Sequence, residues 1–168
     1  MESQSQQNII PSLYEWAGGM EVFEKLMVVF YKKVLTDELI GPVFRHMSSD
    51  HKLHVAHFIA EVFGGPATYS EKEGSHHQMI QKHIGKHLTE PQRKRWVTLL
   101  LESSDELDLP ADPEFRSAFV AYIEWGTRIA VLNSAMDTPP IGPDEPMPKW
   151  GWGVPGKPYI PATIKTNK

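Results

Sequence analysis

Eight histidines lie between His46 and His87, and the chain of 168 residues has no cysteine. Histidine is the commonest metal ligand among side chains and the one whose charge changes near neutral pH. Eight of them in a quarter of the chain point to metal or acid–base chemistry among His46, His51, His54, His57, His76, His77, His83 and His87. Some pairs have ligand-like spacing. His54 and His57 lie at i, i+3 and His83 and His87 at i, i+4, so each pair can share a helix face. Glu73-Gly-Ser-His76 has the Glu-x-x-His form of di-iron bundles, but that architecture needs a second copy and further glutamates. The His-Glu-x-x-His helix of zinc proteases is absent. Without cysteine there are no disulfides, thiolate nucleophiles, Cys-based zinc sites or thiolate-ligated haem.

The elements that must position these side chains are helical. Phe23, Leu26, Met27, Phe30, Tyr31 and Val34 recur on one face. Gly18-Gly19 precedes them. Thr36 is expected to cap a short helix through Asp37–Val43, and Ser48 or Ser49 one carrying Leu53, Phe58, Val62 and Phe63. Gly64-Gly65-Pro66 should end that helix. Thr89 with Gln92 forms a capping box for a helix through Trp96, Leu100 and Leu101. Asp112-Pro113-Glu114 opens the last long helix, striped by Phe115, Phe119, Ile123 and Ile129. No sustained apolar/polar alternation suggests a sheet, so the fold class is all-α. The stretch from Gly65 to Leu88 is polar and glycine-punctuated, and reads as a long loop with one helical turn. Long irregular segments inside a compact domain are usually functional.

Composition narrows the class. Hydrophobic content of 40% with 23% charged residues is ordinary globular usage. A net charge of −4 and a pI near 6.0 argue against a nucleic-acid partner. No apolar run reaches membrane-helix length, and the N-terminus lacks the basic and apolar regions of a signal peptide. The expectation is a soluble cytoplasmic protein, monomer or homodimer. Of the 14 prolines, eight crowd into Pro139–Pro161. The chain therefore divides into a domain over 1–135 and a Pro/Gly/Trp-rich tail over 136–168. Trp150 and Trp152 could anchor that tail on the body.

An axial imidazole, a polar distal pocket and an aromatic cage are what a haem iron needs. Around His83 the chain offers Trp96, and upstream Tyr31 and Phe44. The ordered motifs Val29-Phe30-Tyr31-Lys32-Lys33-Val34, Phe44, Phe63-Gly64-Gly65-Pro66-x-x-Tyr69, His83, Leu88-Thr89 and Trp96 resemble a truncated haemoglobin of the second group. The resemblance covers about residues 12–133. It implies a two-on-two globin-like helical sandwich around haem b, with His83 as axial ligand and His87 in reserve. Tyr31, Trp96 and His51 would face a bound diatomic. His51 would serve as a further donor, a gate or a ferric ligand. Phe44, Val55 and Phe58 would line the haem, with Tyr69 and Lys82 at its propionates. Two departures stand out: His51 occupies a position often small in this group, and His76-Gln78-Lys82 replaces an arginine-richer stretch.

The implied ligands are O2, NO, CO or peroxide. The implied function is diatomic binding, with nitric-oxide or peroxide redox chemistry that needs an external electron donor. The alternatives are a non-catalytic sensor or scavenger, and a non-haem module built on His54/His57 or His83/His87.

Overall fold

The computed structural model describes residues 9–158. Among these every regular element is a helix. A one-turn helix, α1 (Leu13–Ala17), leads into α2 (Met20–Thr36). Then follow α3 (Gly41–Phe44), α4 (His51–Val62), α5 (Thr68–Lys72) and α6 (His76–Gln81). The long helices α7 (Glu90–Glu106) and α8 (Pro113–Ser134) complete the body. Helix α2 packs on α4, α7 packs on α8, and α2 also meets α7. Two helix pairs thus face each other, which is the expected sandwich.

The apolar stripe of α2 forms the centre of this arrangement. Phe23, Leu26, Met27, Phe30, Tyr31 and Val34 are all buried. Phe63, at the end of α4, sets its ring edge-on to Phe23, Phe119 and Tyr122, and so ties α4 to both α2 and α8. Burial of each such ring removes enough apolar surface from water to contribute about 2–3 kcal/mol.

Local rules explain most helix ends. Thr89 accepts from the Gln92 N–H while the Gln92 side chain accepts from Thr89, the expected capping box. Asp112 accepts from Phe115 N–H and starts α8. After α4 the chain must reverse sharply. Gly64 has φ +94°, a left-handed conformation that glycine tolerates best. At Gly65 an added Cβ would lie 2.7 Å from the Ala60 carbonyl oxygen and from the Tyr14 ring.

Three local expectations are corrected. Thr36 does not cap the short helix: its hydroxyl donates back to Lys32 and Lys33 at the end of α2. Asp37 instead accepts from the Leu39 and Ile40 N–H groups. Neither Ser48 nor Ser49 caps α4, whose N-cap is Asp50 without a side-chain bond. The stretch read as a loop holds two helices. Helix α5 is tied to α4 by the buried carboxylate of Glu61, which accepts from the Ser70 N–H at 3.0 Å and from its hydroxyl. Helix α6 begins with a Ser75–Gln78 capping box.

The tail lies on the body. The Trp150 N–H donates to Val62 O at 2.9 Å. The Trp152 indole N–H donates to Pro11 O at 2.7 Å. Trp150 stacks among Tyr122 and Trp125, and Trp152 meets Trp16 and Phe115.

Candidate functional site

Tyr31 sits on the inward face of α2 and is 3% exposed. Phe30, Phe44 and His51 surround its ring at centroid distances of 4.8, 5.6 and 5.2 Å. Its hydroxyl lies 3.0 Å from His51 Nε2, a bond that joins α2 to the first residue of α4. Burial pushes the phenol's pKa up, so the hydroxyl keeps its proton at any physiological pH. His51 is held neutral. Burial, then the positive charge of Lys82, lowers its pKa to about 4.

His83 follows α6, in the turn after Lys82. Its Nδ1–H donates to Met79 O at 2.8 Å, one helical turn back. Burial lowers its pKa despite that bond, and Lys82 and Lys86 lower it further. The result is a neutral, oriented imidazole whose Nε2 lone pair is uncommitted. Metal-bound histidines characteristically carry such a bond on the other ring nitrogen. His87 differs: it is exposed, takes a left-handed φ of +50°, and is tied to α8 by its backbone N–H to Ser134 O.

The other expected residues distribute as follows. Trp96 on α7 packs edge-on against Phe30 at 4.9 Å, and its indole N–H meets no protein acceptor among the described residues. Phe44 and Val55 are half-buried against the core. Phe58 is buried and edge-on to Tyr69 at 5.1 Å. Tyr69 and Lys82 line one open hollow of about 320 Å³, with Glu73, Gln78 and Gln81. The Tyr69 hydroxyl is directed to Ser75 O at 3.4 Å, whereas Lys82 is exposed and unpaired among the described residues. A larger hollow of about 420 Å³, between the end of α2 and α3, contains none of these side chains.

Two histidines singled out by spacing have other partners. His57 Nδ1 lies 2.5 Å from Glu73 Oε1, and its Nε2 lies 2.9 Å from Glu24 Oε1. Burial opposes protonation of His57, but the two carboxylates outweigh it and raise its pKa. His76, the histidine of Glu-x-x-His, bonds through Nδ1 to Pro146 O of the tail at 3.2 Å. Among the described residues no three His, Asp or Glu side chains converge to hold an ion. The non-haem reading on His54/His57 or His83/His87 therefore finds no site. The Glu24–His57–Glu73 bridge was not anticipated, because its members are 33 and 16 residues apart and carry no motif.

Comparison with known proteins agrees with this arrangement. The family model for bacterial-like globins matches residues 12–124. The chain is a bacterial-like globin. The group 2 truncated hemoglobin YjbI of Bacillus subtilis is 24% identical over 96 residues, covering 57% of this globin and 72% of the relative. The match to the group 1 truncated hemoglobin GlbN of Nostoc commune is 30% identical and spans 48% of this globin, but less than two thirds (64%) of the relative. The structure of a thermostable hemoglobin from Thermobifida fusca superposes with a TM-score of 0.64 at 28% identity. It covers 72% of this globin and 97% of that chain. The group II truncated hemoglobin of Bacillus anthracis, at 20% identity and a TM-score of 0.65 over 72% of this globin and 91% of that chain, shares the fold. The two-on-two fold is thus that of truncated globins. Its cofactor is haem b, and this globin binds small ligands such as oxygen through it. The uncommitted Nε2 of a neutral, oriented His83 fits that group.

Proposed function

We propose that this globin holds O2 at a haem iron anchored by His83 and combines it with nitric oxide to give nitrate. Tyr31, His51 and Trp96 are the polar groups that meet the ligand. The carrying observation is the 3.0 Å bond between Tyr31 and a neutral His51, in the same protein as a His83 oriented by Met79. Phe44, Val55 and Phe58 would flank haem b and Lys82 and Tyr69 would meet its propionates, and the group would supply an iron that takes diatomic ligands and exchanges single electrons.

The chain's own residues do the rest. Neutral His51 in its Nε2–H tautomer donates to Tyr31 Oη, and the phenol proton is then free to point at the ligand. Hydrogen bonds in such a chain polarise one another. Trp96 can only donate, so it supports a ligand that gains negative charge. Preorganised donors in a dry enclosure stabilise such charge far better than water does. The aromatic wall of Phe30, Phe44 and Tyr31 keeps the enclosure dry. Converting nitric oxide and O2 to nitrate takes one electron per turnover, which an external donor restores.

Stopped-flow mixing of the reduced, O2-equilibrated protein with nitric oxide tests this reading. The expected result is a fast reaction yielding stoichiometric nitrate and ferric protein. A slow reaction without nitrate overturns it and leaves storage or sensing. His83→Ala should abolish the Soret band of the purified protein, and its retention would move the axial ligand elsewhere.

A further inference from the structure

The loop between His83 and α7 has few side chains to hold it. Gly85, Lys86 and His87 are exposed, and Gly85 and His87 take left-handed φ values of +72° and +50°. Glycine adopts that conformation freely, whereas histidine does so at a cost. A strained residue persists only where its surroundings fix it. Here Ser134 supplies them. This last residue of α8 is fully buried. Its carbonyl accepts from the His87 N–H at 3.0 Å, and its hydroxyl accepts from the Leu88 N–H at 2.9 Å. The hydroxyl proton goes to Val131 O at 2.7 Å, so the side chain is itself oriented. The last carbonyls of a helix lack partners within it, and this one finds its partner in the loop.

Backbone bonds connect this anchor to His83. The His83 N–H donates to Ile80 O at 2.9 Å, and the Lys86 N–H donates to His83 O at 3.1 Å. The next two N–H groups along the chain are those held by Ser134.

The chain that follows α8 returns to hold the other end of the same stretch. His76, in the first turn of α6, bonds through Nδ1 to Pro146 O at 3.2 Å, and its ring stands 6.4 Å from that of Phe58. Met147, the next residue of the tail, packs on the core. From His76 the helix leads to Met79, whose carbonyl accepts from His83 Nδ1. Residues 76–88 are thus gripped at both ends by one segment, with His83 between the grips.

We propose that residues 134–147 are a strap that sets the position of the axial imidazole, with Ser134 and His76 as positioning residues. This rests on His83 as the iron ligand. The bond to Met79 fixes how the ring is turned, while the strap fixes where its backbone stands. A ligand already in place needs no ordering when the metal binds, and groups outside the ligand set tune metal sites in this way. A loosened strap therefore alters the iron–histidine bond and leaves the Tyr31 side of the site alone.

Resonance Raman spectroscopy of the ferrous holoprotein reads the iron–histidine stretch. The Fe–CO stretch of its CO form reads the distal donors. Ser134→Ala removes the acceptor of the Leu88 N–H; His76→Phe keeps a ring beside Phe58 but loses the bond to Pro146. Each should shift or broaden the iron–histidine band and leave the Fe–CO band unchanged. Haem transfer to apomyoglobin should quicken about tenfold in Ser134→Ala and about two- to threefold in His76→Phe, whose lost bond is exposed. His76→Asn, with an amide N–H about where Nδ1 stands, should restore the parent's band and rate. In the parent's diamagnetic CO form, amide exchange should be slow at His87 and Leu88 although residues 85–87 are exposed. Fast exchange at both amides overturns the strap, as does an iron–histidine band that neither variant moves. Equal changes in both bands would mean general loosening and overturn it too. A parent with no iron–histidine band overturns the axial reading, and the strap's role with it, so the two failures are told apart.

Discussion

Tyr31 has one hydroxyl proton and two places to send it. If His51 Nε2 accepts that proton's hydrogen bond, the ligand meets only oxygen lone pairs. If Nε2 carries the proton instead, the phenol is free to donate. A ligand that gains negative charge favours the second arrangement. A hydrogen bond to a charged group contributes about 1.5–3 kcal/mol, and each 1.4 kcal/mol is tenfold. Tyr31→Phe should therefore keep haem yet release O2 about 10–100-fold faster, as read by stopped-flow displacement. An unchanged release rate would mean that the tyrosine does not face the ligand. The ordered series of motifs singles out Tyr31, Trp96 and His83 in the chain, and family spacing adds His51, a departure from the group's usual small residue; their roles toward a ligand are the proposal. The 3.0 Å bond between Tyr31 and His51 was not legible there, because it depends on the way α2 packs against α4.

Between residue and fold stand the short elements, and here local signals were least complete. Helices α5 and α6 have five and six residues. Helices so short are not stable by themselves. They exist because Glu61 holds Ser70 from α4 and because Ser75 and Gln78 cap one another. The Ser75–Gln78 pair was readable; the Glu61 tie was not. His57 likewise joins α2, α4 and the turn after α5 through Glu24 and Glu73. Its folded pKa is raised above the unfolded value of about 6.5. The bridge's stabilisation is thus complete below about pH 6.5 and is lost as pH rises through the raised value. His57→Gln should remove that part of the pH dependence, as followed by urea unfolding from pH 5 to 9. A variant with the parent's pH profile would show that the bridge contributes no proton-linked stability.

At the scale of the whole molecule, the tail extends the core. Trp150 fills a site between Tyr122 and Trp125, and its backbone N–H binds the end of α4. Truncating a fully buried Trp costs about 3–5 kcal/mol. Trp150 is half-buried, so Trp150→Ala should cost about 2 kcal/mol and lower Tm by about 4–8 °C without moving the Soret band. An unchanged Tm would mean that the tail rests on the body without stabilising it. The sequence by itself determined the helical class, because apolar spacing and capping pairs act over one or two turns. It also carried the ordered motif series that marks the globin family. Only the tertiary structure decided which histidines serve which end. His57 and His76 have the same side chain as His51 and His83, yet one bridges two glutamates and the other bonds the tail. The physical reason is distance along the chain. Partners 16 to 70 residues apart are chosen by how helices pack, and spacing carries no record of that choice.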